Sequence, residues 1–395
     1  MAATRVLHLM PDLAIGGGQR VVLEYLRHAD RHRFDARVAF ISSSGALHEQ
    51  FEATGTEPIL LDYVRGHGLR NSIRLARCIR REGVDLLHVH GGVTQRYGQS
   101  AALLTGTPVV AHLHSTWISD GVSPRQLRSW TADRGLTWIE HRTISHYIAC
   151  TAAVRDVYQP HVRAPITVID NGVSVSPENP HTGELRAGLR ASLGLASDAQ
   201  IILSVGVLEP RKRIDTLVAM MDRLTRDHPN AVLVVAGEGP ERDRLEAQIA
   251  DADLGSRVQL LGSRHDVDVL LAAADIFAFA SAREGLPLAV LEAMAARTPV
   301  VTSRLPALEG LVEDGIEAVL VDIGDADGFA AAVGKLLDGE DAAVAMAGAG
   351  QRMIFKRFDA ADMARSFEAV YRQVLDPPEA SRVGGEREKA EHSVR

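Results

Sequence analysis

The sequence predicts an α/β protein built from two doubly wound, nucleotide-fold domains that face one another across a cleft. Three observations lead there. The chain of 395 residues is longer than one core ordinarily holds and too short for three average domains. Short apolar runs alternate with helical patterns, which implies parallel sheets joined by right-handed crossovers. The alternation breaks once, over the Gly-, Ser-, Pro- and Asn-rich stretch 171–200, and then starts again, as an interdomain connection would make it do.

In order along the first half, Arg5–Met10, Ala36–Ile41, Pro58–Leu61, Asp85–His90, Pro108–His114 and Tyr147–Cys150 have buried-strand composition. Gln19–His28, Leu47–Ala53, Leu69–Glu82 and Gln95–Leu104 carry helical spacing between them. The break follows Ile166–Ile169, with a short helical stretch inside the connection. Strands are then expected at Ile201–Val205, Ala231–Ala236, Val258–Leu261, Ile276–Ala280, Val300–Ser303 and Ala318–Val321. Helices are expected at Ile214–His228, Arg242–Ala250, Val267–Ala273 and Leu288–Ala296. From Phe329 the chain reads as helical to Leu375, and the tail 376–395 is too polar to pack and is expected to be disordered. Ligands of parallel sheets sit beyond the carboxyl ends of the strands, so the residues following each strand are the ones that matter.

Composition narrows the class. Apolar residues at 46 % and charged residues at 24 % exclude a mainly disordered chain. No apolar run approaches the roughly 18 residues that span a bilayer. The amino terminus, interrupted by Pro11 and Asp12, does not read as a signal peptide. Two cysteines, Cys78 and Cys150, build neither a disulfide framework nor a four-thiolate zinc site, and a cytoplasmic enzyme is expected. The net charge of −8 argues against a nucleic-acid partner. The charge is uneven, however: up to Asp170 there are 19 Lys+Arg against 15 Asp+Glu. A mildly basic first half can meet a phosphorylated substrate or an anionic surface.

The stretch from Glu284 to Glu292 carries the most chemistry. A strand ends, a loop with Gly285 and Pro287 follows, and a helix opens near Leu288. Free N–H groups at a helix start, beside a glycine, form an anion site suited to a diphosphate. Glu292 lies about one turn further on, and carboxylates accept hydrogen bonds from sugar and ribose hydroxyls. An ordinary βα turn with two solvated glutamates has the same spacing. A second stretch, Gly206 to Arg213, places Arg211, Lys212 and Arg213 after a strand, where cations can neutralise a departing diphosphate or form a solvated basic turn.

The first of these stretches resembles the Glu-x7-Glu signature of retaining GT-B glycosyltransferases of family four (glycosyl transferases group 1). Ser281, Glu284-Gly285-Leu286-Pro287 and Glu292-Ala293-Met294-Ala295 carry the resemblance, which extends from the glycine loop at Gly16-Gly17-Gly18 to the final helices. It implies two Rossmann-like domains, 1–172 and 173–358, and a helix over 359–375 that crosses back to the first. By the resemblance Glu284 contacts the donor sugar, Glu292 the ribose, and the backbone from Gly285 through Leu286 and Pro287 to Leu288 the phosphates. Lys212 matches the family's lysine, whereas Val207 stands where the family has an arginine, a charge that Arg211 could replace. Gly206 and the Gly237-Glu238-Gly239-Pro240 turn are expected to border the donor, and Arg264, His265 and Asp266 its base. The loop Gly16, Gly17 and Gly18 fails the dinucleotide fingerprint, since Val21 takes its last position; the resemblance sets it against the acceptor and the donor sugar.

Histidines recur at strand ends: His88 and His90 on one strand, His112 and His114 on the next. Convergence on zinc is conceivable from this pattern, but packing of His-x-His on buried strands is the expectation, and only His114 takes the family's sugar-binding role. The Asp-x-Asp pairs Asp251/Asp253, Asp266/Asp268 and Asp325/Asp327 fall away from the strand ends and read as chance, and the resemblance to GT-B enzymes, which generally need no metal held this way, implies no metal and no cofactor. Arg70, Arg74, Arg77 and Arg81 form a basic stripe on one helix, either solvated or touching anionic lipid. Trp117, Trp130 and Trp138 are expected to pack the first domain.

The function expected is transfer of a sugar from a UDP- or GDP-linked donor to the hydroxyl of a glycan, a lipid-linked molecule or a small molecule, with retention at the anomeric carbon. The rivals are a non-catalytic relative that binds a sugar nucleotide or glycan, and a hydrolysing sugar-nucleotide epimerase of the same fold.

Overall fold

Runs of β-branched and aliphatic residues, unbroken by alternation, form strands buried on both faces, and both sheets of the molecule are parallel throughout. The computed structural model describes residues 3–42, 45–64, 67–115, 142–174 and 183–376. The chain divides into two units: Met1–Gly172 together with Ala360–Arg395, and Val173–Asp359.

The first unit runs β1 (Thr4–Met10), α1 (Gly17–His28), β2 (Phe34–Phe40), α2 (His48–Ala53), β3 (Ile59–Leu60), α3 (Gly68–Glu82), β4 (Leu86–His90), α4 (Gly92–Thr105), β5 (Val109–Leu113), β6 (Ile144–Ala149), α5 (Ala152–Tyr158) and β7 (Ile166–Val168). Its sheet has the order β3-β2-β1-β4-β5-β6-β7. The order reverses between β1 and β4, where His8 stands opposite His88; one strand on, His90 stands opposite His112. The edge strand β7 pairs with β6, so the sheet continues into the segment 166–168, where the sequence reading ends the domain. Helix α13 (Ala360–Leu375) belongs to this unit. It buries Met363, Phe367 and Tyr371, and its Glu368 accepts a hydrogen bond from the Asp30 amide at 2.9 Å.

The second unit runs α6 (Gly183–Ser192), β8 (Gln200–Val205), α7 (Ile214–Leu224), β9 (Ala231–Ala236), α8 (Arg242–Asp251), β10 (Val258–Gly262), α9 (Val267–Ala273), β11 (Ile276–Phe279), α10 (Leu288–Ala295), β12 (Val300–Ser303), β13 (Val319–Val321), α11 (Ala326–Asp338) and α12 (Glu340–Arg357). The strand order is β10-β9-β8-β11-β12-β13, with the reversal between β8 and β11. Leu217, Met221, Leu233, Val235, Phe329 and Val333 are among the residues of its core. Helix α7 stops at Leu224, four residues short of the sequence expectation. Pro229 disfavours helical backbone at His228, and Thr225 turns its hydroxyl onto the Met221 carbonyl at 2.8 Å.

The tail 377–395, residues 175–182 of the connection, and Trp117, Trp130 and Trp138 lie outside the described residues.

Candidate functional site

In a parallel sheet the crevice opens where the strand order reverses, because the loops leaving the two neighbouring strands diverge to opposite faces. In the second unit those loops are 206–213 after β8 and 280–287 after β11. They carry Lys212, Arg211 and Glu284, and the structure brings all three together.

One carboxylate oxygen organises the group. Glu284 Oε1 accepts from Lys212 Nζ at 2.8 Å, from Arg211 Nη1 at 3.0 Å and from Ser281 Oγ at 2.7 Å. Arg211 also donates through Nε to Glu209 at 2.8 Å, and its carbonyl accepts the Ala282 amide at 2.7 Å, which ties the two loops. The Lys212 ammonium lies 4.8 Å above the Phe279 ring. Lys212 and Glu284 are 13 % and 12 % exposed, so their pairing is shielded from water. Two cations face two carboxylates, which leaves the cluster near neutral and the second oxygen of Glu284 available to a hydroxyl. Arg213 corrects the picture of three cations on one ligand: its backbone is left-handed (φ 50°), and its side chain turns to Asp215 at 3.2 Å.

Helix α10 opens at Leu288 with no side chain capping it. The Pro287 carbonyl accepts the Val290 amide at 2.9 Å and the Leu291 amide at 3.3 Å, whereas the N–H groups of Gly285, Leu286, Leu288 and Ala289 meet no acceptor among the described residues. Pro287 itself has no N–H, so it starts the helix and cannot be a phosphate donor. Glu292 lies half-buried one turn into α10. Beside them, Gly206 and Gly237 pass so closely that a methyl group on Gly237 would sit 1.9 Å from the Gly206 carbonyl oxygen. Only glycine permits the β8 and β9 loops to lie edge to edge here.

Several of the remaining candidates of this unit have structural partners. Arg264 forks onto Asp266 at 2.8 and 2.6 Å and holds that carboxyl below the usual range. Glu238 pairs with Arg242 at 2.6 Å. Asp325 caps α11 through the Gly328 amide, and Asp327 pairs with Arg223.

In the first unit the reversal point holds the glycine loop and the histidines. Gly16 caps α1, while Gly17 and Gly18 open it. A methyl group on Gly18 would meet His114 Nε2 at 3.4 Å, so the loop and His114 are neighbours. His114 is not alone. His90 Nδ1 lies 3.0 Å from His114 Nε2, and His90 Nε2 lies 3.1 Å from His8 Nδ1. His112 stacks on His114 with ring centres 4.0 Å apart, and His88 stacks on His112 at 5.4 Å. His88 Nδ1 meets the Tyr371 hydroxyl at 2.7 Å. Burial pushes the basicity of all five rings down, His8 to about 3 and His114 to about 4, so they are uncharged at neutral pH. The sequence pattern favours packing for His88, His90 and His112 over their convergence, and it does not single out His8 or Tyr371. The signal for His8 is positional: β1 neighbours β4 at the reversal, which sets it beside His88.

On α3, Arg70, Arg77 and Arg81 are exposed, whereas Arg74 turns back to the Leu61 carbonyl at 2.8 Å. Among the described residues no helix is long and apolar enough to cross a membrane.

Two Rossmann-like units, each with its candidate side chains at a strand-order reversal, define a protein of the GT-B class. Residues 186–353 match the family described as Glycosyl transferases group 1, and residues 15–176 match Glycosyltransferase Family 4. The D-inositol 3-phosphate glycosyltransferase of Corynebacterium urealyticum is 30 % identical over 339 residues, covering 81 % of this chain and 76 % of the relative. The chain belongs to the group 1 glycosyltransferases. The UDP-Gal:alpha-D-GlcNAc-diphosphoundecaprenol alpha-1,3-galactosyltransferase of Escherichia coli is 26 % identical over 344 residues, 84 % of this chain and 87 % of that one. Among solved structures, Anabaena HepE in complex with UDP-glucose has the same fold, with a TM-score of 0.80 at 23 % identity, over 93 % of this chain and 99 % of that one.

Proposed function

We propose that this chain transfers a sugar from a UDP-sugar to an acceptor hydroxyl with retention at the anomeric carbon. The observation that carries the reading is the Glu284 carboxylate. Three donors fix one of its oxygens, and the other is left for a sugar hydroxyl, beside the amides of Gly285, Leu286 and Leu288 that suit a diphosphate. The UDP donor is supported by the printed substrate of the Escherichia coli relative and by the ligand of HepE.

In this reading Glu292 holds the ribose hydroxyls and Glu284 the sugar, while Lys212 and Arg211 stabilise the charge that grows on the departing diphosphate. Glu284 is clamped as a hydrogen-bond acceptor rather than poised as a nucleophile. Substitution is therefore assigned to the same face, with the leaving diphosphate taking the acceptor's proton. His114 and the loop Gly16–Gly18 are assigned to the sugar and the acceptor. The transfer itself draws on the chain's own cations and needs no metal on an Asp-x-Asp pair and no cofactor.

The test is thermal stabilisation by UDP, UDP-glucose, UDP-galactose and GDP, followed by turnover with any stabilising donor. A ligand at a hundredfold excess over Kd contributes about 2.7 kcal/mol. UDP compounds are expected to stabilise the wild type, and Glu292→Ala to weaken UDP binding about tenfold through loss of hydroxyl contacts. Stabilisation by GDP alone would overturn the donor assignment, and binding without turnover on any acceptor would leave a non-catalytic relative. The anomeric configuration of the product, read by NMR, decides retention. Exposed Arg70, Arg77 and Arg81 beside Leu69, which is 75 % exposed, further support peripheral contact with an anionic membrane, which vesicle flotation with and without anionic lipid tests.

A further inference from the structure

The geometry points to a binding site for one divalent transition-metal ion, zinc first, formed by His90, His112 and His114 of the first unit. Each of these rings offers one nitrogen such that the three lie within 4.8 Å of one another. Tetrahedral zinc, with bonds of about 2.0–2.1 Å, separates its ligand nitrogens by roughly 3.3 Å. His90 Nδ1 and His114 Nε2 already stand 3.0 Å apart, and the His112 ring has to turn out of its stack on His114 to bring a nitrogen to the ion.

Polar satisfaction leads to the same place. Both nitrogens of His112 and Nδ1 of His114 are buried and meet no hydrogen-bond partner among the described residues; His112 itself is 3 % exposed. Stacking of the rings fills space but leaves these nitrogens unpaired, which is costly inside a protein. A metal ion takes up the lone pair of one His112 nitrogen directly. Burial keeps the three rings uncharged, the state in which imidazole is a ligand. An outer partner is also in place: the nitrogen of His90 that faces away from the trio meets His8 Nδ1 at 3.1 Å, which fixes the tautomer and the ring plane.

A second trio, His8, His88 and His90, has comparable spacing. It is the poorer site, because His88 Nδ1 is engaged by the Tyr371 hydroxyl and all three rings are sealed from solvent. His114 is half-buried at the rim, beside the glycine loop, and gives an ion a way in. The bound ion would tie the end of β4 to β5 and the residue that follows it. Nothing in this assignment depends on the donor site at Glu284.

The test uses the full chain, stripped with a chelator, dialysed against zinc alone and measured by elemental mass spectrometry. One zinc per chain is expected in the wild type, lost in His112→Phe and in His90→Phe, and kept in His228→Ala, which removes a histidine of the other unit. No bound zinc in the wild type, or equal zinc in wild type and His112→Phe, overturns the site. Should the phenylalanine variants fail to fold by circular dichroism, the cobalt-loaded wild type decides. Intense visible absorption from a tetrahedral nitrogen-ligated ion supports the site, and the weak absorption of octahedral, surface-held cobalt overturns it.

Discussion

Toward the carboxyl ends of β1, β4 and β5 the first unit gathers five uncharged imidazoles, whereas beyond the ends of β8 and β11 the second gathers two cations and two carboxylates. The two sheets share a topology and place their polar groups at the same point of it, where the strand order reverses. They answer the cost of burying those groups in opposite ways. The histidines shed their charge, because desolvation penalises the protonated ring. Glu284 is instead held by Lys212, Arg211 and Ser281, whose donors replace the water it loses. The first solution is sensitive to pH and the second to the loss of a partner.

Acid should separate the units most sharply. A histidine held neutral in the fold and free to protonate in the unfolded chain contributes stability above its unfolded pKa of about 6.5, and loses it as pH falls, by about 1.4 kcal/mol per pH unit. The loss runs from about 6.5 down to the folded values, about 4 for His114 and about 3 for His8. Several such groups acting together are large against the roughly 5–15 kcal/mol of a typical domain. Thermal unfolding with chelator present is expected to show one transition moving strongly downward between pH 7.5 and 5. The second unit, where the Arg264 fork keeps Asp266 charged into the acid range, should hold its own. A common shift of both transitions would break the contrast.

Removing a partner tests the other half. Lys212→Ala leaves Glu284 with Arg211 and Ser281 only, and takes away a cation assigned to the leaving group. Turnover should fall about 10²–10³-fold, the usual consequence of deleting a donor aimed at developing charge. Lys212→Arg should recover little of it, because a planar fork cannot reproduce the 2.8 Å contact over Phe279. Unchanged kcat in Lys212→Ala would remove the cluster from catalysis.

The glycines give a paired comparison of smaller size. A methyl group at Gly237 meets backbone, the Gly206 carbonyl oxygen at 1.9 Å, and backbone cannot swing aside. At Gly18 it meets the His114 ring at 3.4 Å, which is tight but adjustable. Gly237→Ala is expected to cost about 3 kcal/mol, at the high end of overpacking, and Gly18→Ala about 1 kcal/mol or less in a denaturant titration. Equal costs would show that the second unit's loops part more freely than their contact implies.

Much of this was legible before any coordinates. Both series of strands, the connection and the loops bearing Lys212 and Glu284 follow from periodicity and turn chemistry, which are local. What escaped depends on register between strands far apart in the chain. His8 sits in the apolar run VLHLM, with nothing beside it to mark a site; it acquires meaning only when β1 lies next to β4 and sets it opposite His88. The same holds for the Arg211–Glu284 contact, whose partners are 73 residues apart, and for the discovery that Arg213 turns to Asp215 instead. The strand-end spacing of His88, His90, His112 and His114 hints at convergence, but the place of His8 and the closed charge cluster are products of pairing between distant strands and loops.

A single hydroxyl probes the join between α13 and the histidines. Burial keeps the Tyr371 phenol protonated, and its hydroxyl is hydrogen-bonded to His88 Nδ1 at 2.7 Å. Tyr371→Phe preserves the ring that packs against Tyr25 and Phe34 and removes only the hydroxyl. His88 then has neither nitrogen satisfied, since its Nε2 already lacks a partner. The cost should be about 1–3 kcal/mol in a denaturant titration. Because an unpaired ring nitrogen is protonated no more easily in a dry core, the acid transition should keep its direction and midpoint relative to this lower baseline. A Tyr371→Phe protein whose stability no longer depends on pH between 7.5 and 5 would mean that the helix contact, rather than desolvation, keeps the histidines neutral.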